Sequence, residues 1–207
     1  HPDVRLQAMQ SLVVLGGVSS LQTILRRSKN ISQWTAIELS IIVMDFKEEA
    51  VPYLIEALGS NDQSVVLFCI EMLAEIGFVS AVETLRAMAR DYPNTVIRAK
   101  AVEALGRLGD QRAEELLLEL LKNPVPILRY KAIEAIGKIG VAGAIPTLAE
   151  LLRTGTLQEK ILAARSIASA GPEGISFLTS HSDLENELVR DVVHQVLEEF
   201  GVEPAIR

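Results

Sequence analysis

Aromatic side chains make up only 4% of the 207 residues, with a single Trp, three Tyr and five Phe. A core built without large rings must close through small and branched aliphatic side chains, which suits tightly packed helices. Cysteine is scarcer still. Cys69 stands alone, which excludes an internal disulfide, and its setting in VVLFCIEML marks it as a small buried hydrophobe. Basic residues are in the minority: 20 Lys and Arg face 27 Asp and Glu, for a formal net charge of −7. Nucleic-acid binders usually carry a basic face, because phosphate neutralisation dominates their affinity, so the balance argues against DNA and RNA. Histidine occurs three times, at His1, His181 and His194. No HExxH, CxxC or Cys/His cluster offers a metal site. No GxSxG, Walker or dinucleotide pattern occurs, and Ser166 and Ser169 lack any evident base. No cofactor is expected.

Long uninterrupted apolar runs are also lacking. The richest stretches, such as Ile37 to Met44, fall short of the roughly 18 residues a bilayer crossing needs, so this segment is expected to hold no membrane span. The chain opens on His1-Pro2-Asp3 with no signal-peptide pattern. It reads as an excised piece of a longer protein.

What is present is 49% apolar residue content with 23% charge, enough to build a sizeable core, and a repeat that organises it. AVEALGRLG (Ala101 to Gly109) and AIEAIGKIG (Ala132 to Gly140) match closely, CIEMLAEIG (Cys69 to Gly77) next, AMQSLVVLG (Ala8 to Gly16) more loosely. Taking the first residue of each as an anchor gives Ala8, Ala36, Cys69, Ala101, Ala132, Ala163 and Val193. Apolar residues at the anchor and one, four and seven positions on trace one face of a helix. Eight positions on stands Gly16, Gly77, Gly109, Gly140, Gly171 or Gly201, with Met44 the exception, as a left-handed helix cap requires. A second helix follows. AVPYLIEAL (Ala50 to Leu58) and AIPTLAELL (Ala144 to Leu152) occupy the same slot, with Pro52 and Pro146 in the first turn, where a missing N–H costs little, and Asp110 placed to cap another.

The expected fold is all-α: a right-handed α-solenoid of about six HEAT-like helical hairpins plus a C-terminal capping helix. Repeats are expected at about 1–30, 31–62, 63–93, 94–124, 125–155 and 156–182, with the cap at 183–207, in one domain. The cap sets Val189, Val193, Val196 and Phe200 inward and charged residues outward.

These columns, notably Val4-Arg5, Ile97-Arg98-Ala99-Lys100-Ala101 and ALGRLGDQRAEELLLELL, resemble HEAT repeats of the phycobilisome-lyase-like subtype. ISQWTAIEL and SNDQSVVLFCIEMLAEIG resemble HEAT regions of bacterial proteins that carry an N-terminal membrane helix. The resemblance implies scaffolding and protein recognition rather than catalysis, in the cytoplasm, tethered to the inner membrane by a segment not present here. A bilin lyase-like chromophore-handling subunit is one alternative that it brings. A HEAT-type DNA glycosylase is another. The paired His-Glu steps of HEAT-type di-iron hydroxylases are absent, since none of the three histidines precedes Glu.

Two sets of residues invite a role. The second helices carry Tyr53, Glu56, Glu83, Arg86, Arg90, Glu115, Glu119 and Glu150, with Thr147 and Lys122 nearby. They are expected to line a concave, mildly acidic groove that takes a basic or amphipathic segment of a protein partner of unknown identity; a merely solvated face is the competing account. Three residues before the anchors run Arg5, Arg98, Arg129, Lys160 and Arg190, interrupted by Gln33 and Val66. The column reads as a stacking device that bonds to the adjacent repeat, against the alternative of an anion-binding ladder. Trp34 and Tyr130 share a partly exposed column. Self-association through an exposed N-terminal repeat is compatible with the composition.

Overall fold

A computed structural model describes residues 2–180 and 186–202, with side chains described from residue 7 onward except at position 34. His1 and His181 and the side chains of Arg5 and Trp34 lie outside the described residues.

Every described element is helical. Six hairpins follow one another, α1 (Pro2–Gly16) with α2 (Ser20–Arg27), α3 (Gln33–Phe46) with α4 (Val51–Ala57), α5 (Gln63–Ile76) with α6 (Val82–Asp91), α7 (Thr95–Leu108) with α8 (Glu114–Leu120), α9 (Pro126–Ile139) with α10 (Ile145–Thr154), and α11 (Leu157–Ser169) with α12 (Pro172–Ser180). A last helix, α13 (Glu187–Glu199), closes the series. In each of the first five hairpins a short 3-10 turn leads into the second helix.

The chain divides into two compact units, His1–Ala104 and Leu105–Arg207, with the boundary inside α7. Within the first, α1 packs on α3 and α3 on α5, while α2 packs on α4. Within the second, α9 and α13 both pack on α11, and α11 also packs on α10 and α12. First helices thus lie on first helices, which is the stacking of a helical solenoid.

Local chemistry sets where each first helix begins. Ser32, Asp62, Thr156 and Asn186 each accept a bond from a backbone N–H of the first turn, and Thr156 with Glu159 forms a reciprocal capping box. Where each ends is set by a residue of positive φ, and these residues reveal the true period. They are Gly17, Lys47, Gly77, Gly109, Gly140, Gly171 and Gly201, spaced 30, 30, 32, 31, 31 and 30 apart.

That series corrects the sequence alignment in two places. Gly17, at φ +58°, takes the cap conformation, while Gly16 stays at φ −115°. In the second hairpin the cap is Lys47, at φ +48°, and its N–H reaches Val43 O as the Gly77 N–H reaches Leu73 O. The anchors are therefore Met9 and Leu39 in place of Ala8 and Ala36. Met9 and Leu39 are buried, while Ala8 is exposed and Ala36 only half-buried. Ile37, expected in the core, is exposed instead. A lysine in the glycine column hid the register.

Other anchors, Cys69, Ala101, Ala132, Ala163 and Val193, are fully buried. In α13 the residues Val189, Val193 and Val196 face the core as expected, but Phe200 is exposed because the helix has ended before it. His194 and Tyr130 are half-buried.

The first hairpin carries a second correction. By length and composition, Gln7–Arg27 is apolar enough to cross a membrane, contrary to the reading that no stretch approaches that length. The run is not one helix. It breaks at Gly17–Ser19, and α2 packs back on α1.

Candidate interaction surface

Each unit places its share of the second-helix residues separately. In the first unit, Tyr53 and Glu56 line a cavity of about 330 Å³ together with Gln22, Leu25, Arg26, Ala57, Gly59, Ser60 and Asn61. Glu56 gathers hydrogen bonds from two other residues of the wall. Gln22 Nε2 donates to both carboxylate oxygens at 3.1 and 2.9 Å, and Arg26 reaches Oε1 at 2.5 Å. The Gln22 amide and the Arg26 guanidinium hold the Glu56 carboxyl below its ordinary value. Arg26 itself is 66% exposed, so this ion pair is weakly held and screened by water.

On α6, Arg86 donates to both oxygens of Glu83 at 3.2 and 2.9 Å, while its Nε is buried with no hydrogen-bond partner. Arg90 is exposed one turn on. In the second unit, Glu115 and Glu119 are exposed on α8, and Glu150 pairs with Arg153 at 2.9 Å on α10. Glu56, Glu83 and Glu150 therefore each meet a basic side chain of their own chain. The sequence reading did not single out Gln22, Arg26 or Arg153. The signal was available in part: Arg26 and Glu56 occupy one column, six residues after Ser20 and Ala50, once the second hairpin is in register.

Three residues of the basic column reach back to the end of the preceding hairpin. Arg98 Nε donates to Ala89 O at 2.9 Å. Arg129 donates from Nη1 to Asn123 O at 2.8 Å, and Lys160 Nζ to Leu152 O at 2.8 Å and Arg153 O at 2.5 Å. These carbonyls close the ends of second helices, where intrahelical donors run out and a positive charge meets the negative end of the helix dipole. Arg129 also binds Glu159 Oε1 at 2.6 Å through Nε, joining α9 to α11. Burial raises the Glu159 carboxyl, but the Thr156 N–H, the Arg129 guanidinium and the Thr156 hydroxyl outweigh it and hold the group below its ordinary value. Burial lowers the Lys160 ammonium. Arg190 is half-buried on α13 in the same column. With the corrected register, Arg5 stands four before the anchor Met9 and leaves the column.

Among the described residues no group of three or more His, Cys, Asp or Glu side chains is placed to hold a metal ion.

HEAT-repeat sequence patterns match residues 24–106 and 89–168, most of the chain. The chain belongs to the HEAT-repeat family. No curated protein matches it significantly. Solved structures do. One engineered protein aligns at TM-score 0.55 and 18% identity over 96% of this chain and 98% of that one. A second engineered protein aligns at TM-score 0.52 and 18% identity over 93% of this HEAT-repeat chain. The chain spans 60% of that protein's length. Human deoxyhypusine hydroxylase in complex with glycerol aligns at TM-score 0.48 and 16% identity, over 94% of this chain and 99% of that one. At such identities the likeness concerns the fold alone.

Proposed function

We propose that this HEAT-repeat chain is a non-catalytic scaffold that holds a protein partner on its second helices, and that the partner offers a basic or amphipathic segment. The supporting observation is the Glu56 site. An ionised carboxylate sits beside a cavity of about 330 Å³, and its cation, Arg26, is largely solvated. An arriving Lys or Arg side chain exchanges with Arg26 at little cost, because an exposed pair is worth about 0–1 kcal/mol. Tyr53 adds a ring with a polar tip to the wall, the kind of side chain that anchors contacts. In the second unit Glu115 and Glu119 are exposed on α8. Such electrostatics select and steer more than they tighten. The cytoplasmic, membrane-tethered setting implied by the bacterial resemblance belongs to the same proposal, and fractionation of the full-length protein tests it.

The test is affinity capture with the full-length protein beside a triple charge reversal at Glu56, Glu119 and Glu150. Capture that weakens on reversal and with rising salt supports the reading. Equal capture by both proteins would remove the second-helix face as the binding surface.

A further inference from the structure

We infer that the groove between α3 and α5 docks a cationic amphipathic helix of a protein partner. The inference concerns first helices of the first unit and stands independently of the second-helix reading.

Two exchanges in α3 shape the groove. One residue after the anchor, Ile70, Val102 and Ile133 are fully buried, whereas α3 has the small, half-buried Ser40. Two residues after the anchor stand Glu71, Glu103 and Glu134, but α3 has Ile41, 54% exposed. Polar and apolar positions are interchanged, so the outer crest of α3 is apolar where those of α5, α7 and α9 are acidic. A third difference sets the spacing. Gly106 of α7 meets Ala135 of α9 at backbone distance, and the equivalent pair between α3 and α5 is Met44 and Met72. Side chains at the crossing set how closely two helices approach, and two methionines take up room that glycine and alanine leave. What remains is an open groove of about 430 Å³, walled by Ile37, Ser40, Leu67, Phe68 and Met72, with Glu71 and Lys100 also lining it.

Charge and shape select the occupant. Residues 31–76 hold eight of the 27 acidic side chains and only one of the 20 basic ones, Lys47. Nineteen of each stand elsewhere, so this segment carries the whole net charge of −7. Lys100, the cation at the groove, is already bound by Glu71 and Glu103. Glu75, one turn beyond Glu71 on α5, is exposed. An anionic bilayer, or the same segment of a second copy, is repelled by this field. A segment bearing Lys or Arg is drawn to it. From Gln33 to Ser40, both in its wall, the groove follows about 10 Å of α3. That is the length of an i to i+7 step, so an incoming helix seats apolar residues i, i+4 and i+7 against Ile37, Leu67 and Met72. Its cationic flanks then meet the acidic crest of α5. Methionine suits such a wall, because a flexible thioether adapts to its guest.

Titrating the 207-residue chain with a designed helical peptide tests the inference, the probe carrying leucine at i, i+4 and i+7 and lysine on its other face. The readout is the ε-methyl signals of the four methionines, assigned by single Met→Leu variants. Met72 and Met44 are expected to shift, while Met9 on α1 and Met88 on α6 stay in place. Ile37→Glu is expected to weaken binding by about tenfold or more. Ile37 is 48% exposed, so the core is undisturbed and helicity is expected to be unchanged. A peptide of the same composition in scrambled order, and one with glutamate for lysine, are expected to bind more weakly by a similar factor. A Met72 methyl that stays put at saturation overturns the inference, as does binding indifferent to Ile37→Glu or to the scrambling. Binding that moves Met88 and leaves Met72 in place belongs to the second helices and overturns it too. Uptake of the chain by phosphatidylglycerol vesicles, lost in Ile37→Glu, assigns the groove to a lipid surface with the same consequence.

Discussion

Gly137 and Ser166 touch with no room for a side chain between them: a Cβ on Gly137 would lie 2.7 Å from Ser166 Oγ and 2.9 Å from its Cα. Ser166 in turn donates to Ile133 O at 2.7 Å, so the serine bonds to the backbone of the helix it is pressed against. One hairpin earlier, Gly106 meets Ala135 Cα at 2.7 Å by the same measure. These contacts let consecutive first helices in the second unit approach to backbone distance. They also explain why glycine is tolerated mid-helix, where it costs about 1 kcal/mol relative to alanine.

Alanine at either position is therefore expected to destabilise, against its propensity. The added methyl meets a Cα that cannot swing away, and overpacking of this kind costs typically about 1–3 kcal/mol. Urea unfolding of Gly106→Ala and Gly137→Ala measures it. A rise in midpoint would show that the helices have slack to separate.

Lys47→Gly is expected to stabilise the chain by about 1 kcal/mol, the scale of holding a non-glycine residue in a sparsely populated backbone region. Lys47 sits at φ +48° and ψ −122°, where glycine carries no Cβ penalty. The reverse change, Gly77→Lys at φ +75°, is expected to lose a similar amount. Thermal melts of the two variants should move in opposite directions, and a shared direction would refute the assignment of Lys47 to the glycine column.

Acid should weaken the fold in a window set by depressed carboxyl groups. Glu159 lies below its ordinary 4.5 in the folded state, and Asp110 is pulled from 3.8 to about 2, chiefly by the Arg112 side chain. A carboxyl depressed by folding contributes stability above its unfolded value and loses it as pH falls through the folded one. Stability is thus expected to fall from about pH 4.5 toward pH 2. Glu159→Gln should be less stable at neutral pH, having left Arg129 without its charge partner, and should show a shallower decline on acidification. An unchanged slope would mean that Glu159 titrates as it does in the unfolded chain.

Cys69 is fully buried, and burial pushes its thiol up to about 12. The thiolate is the reactive species, so a disulfide reagent at neutral pH should label the native protein only through opening of α5. Labelling is expected to rise steeply across the urea transition. Fast labelling without denaturant would contradict the packing around α5.

The hairpins from α5 onward were legible from residue order because Gly77, Gly109, Gly140 and Gly171 mark helix ends with a conformation few other residues adopt. The second hairpin was not, because Lys47 holds that conformation against its preference, and the nearest apolar alignment slid three residues toward Ala36. The acidic second helices were legible as a column. Their pairing was not: Glu56 finds Gln22 and Arg26 from a different hairpin, and only stacking brings those residues within bonding distance.

Periodicity of apolar side chains and the backbone freedom of glycine act within a single turn of helix. They suffice to specify helix, cap and repeat from the order of residues alone. Which charges neutralise one another, which glycines lie against a neighbouring backbone, and that Leu12, Val14 and Leu15 remain in water while Leu39 does not, all depend on distances between helices about 30 residues apart. Those distances exist only once the hairpins have stacked.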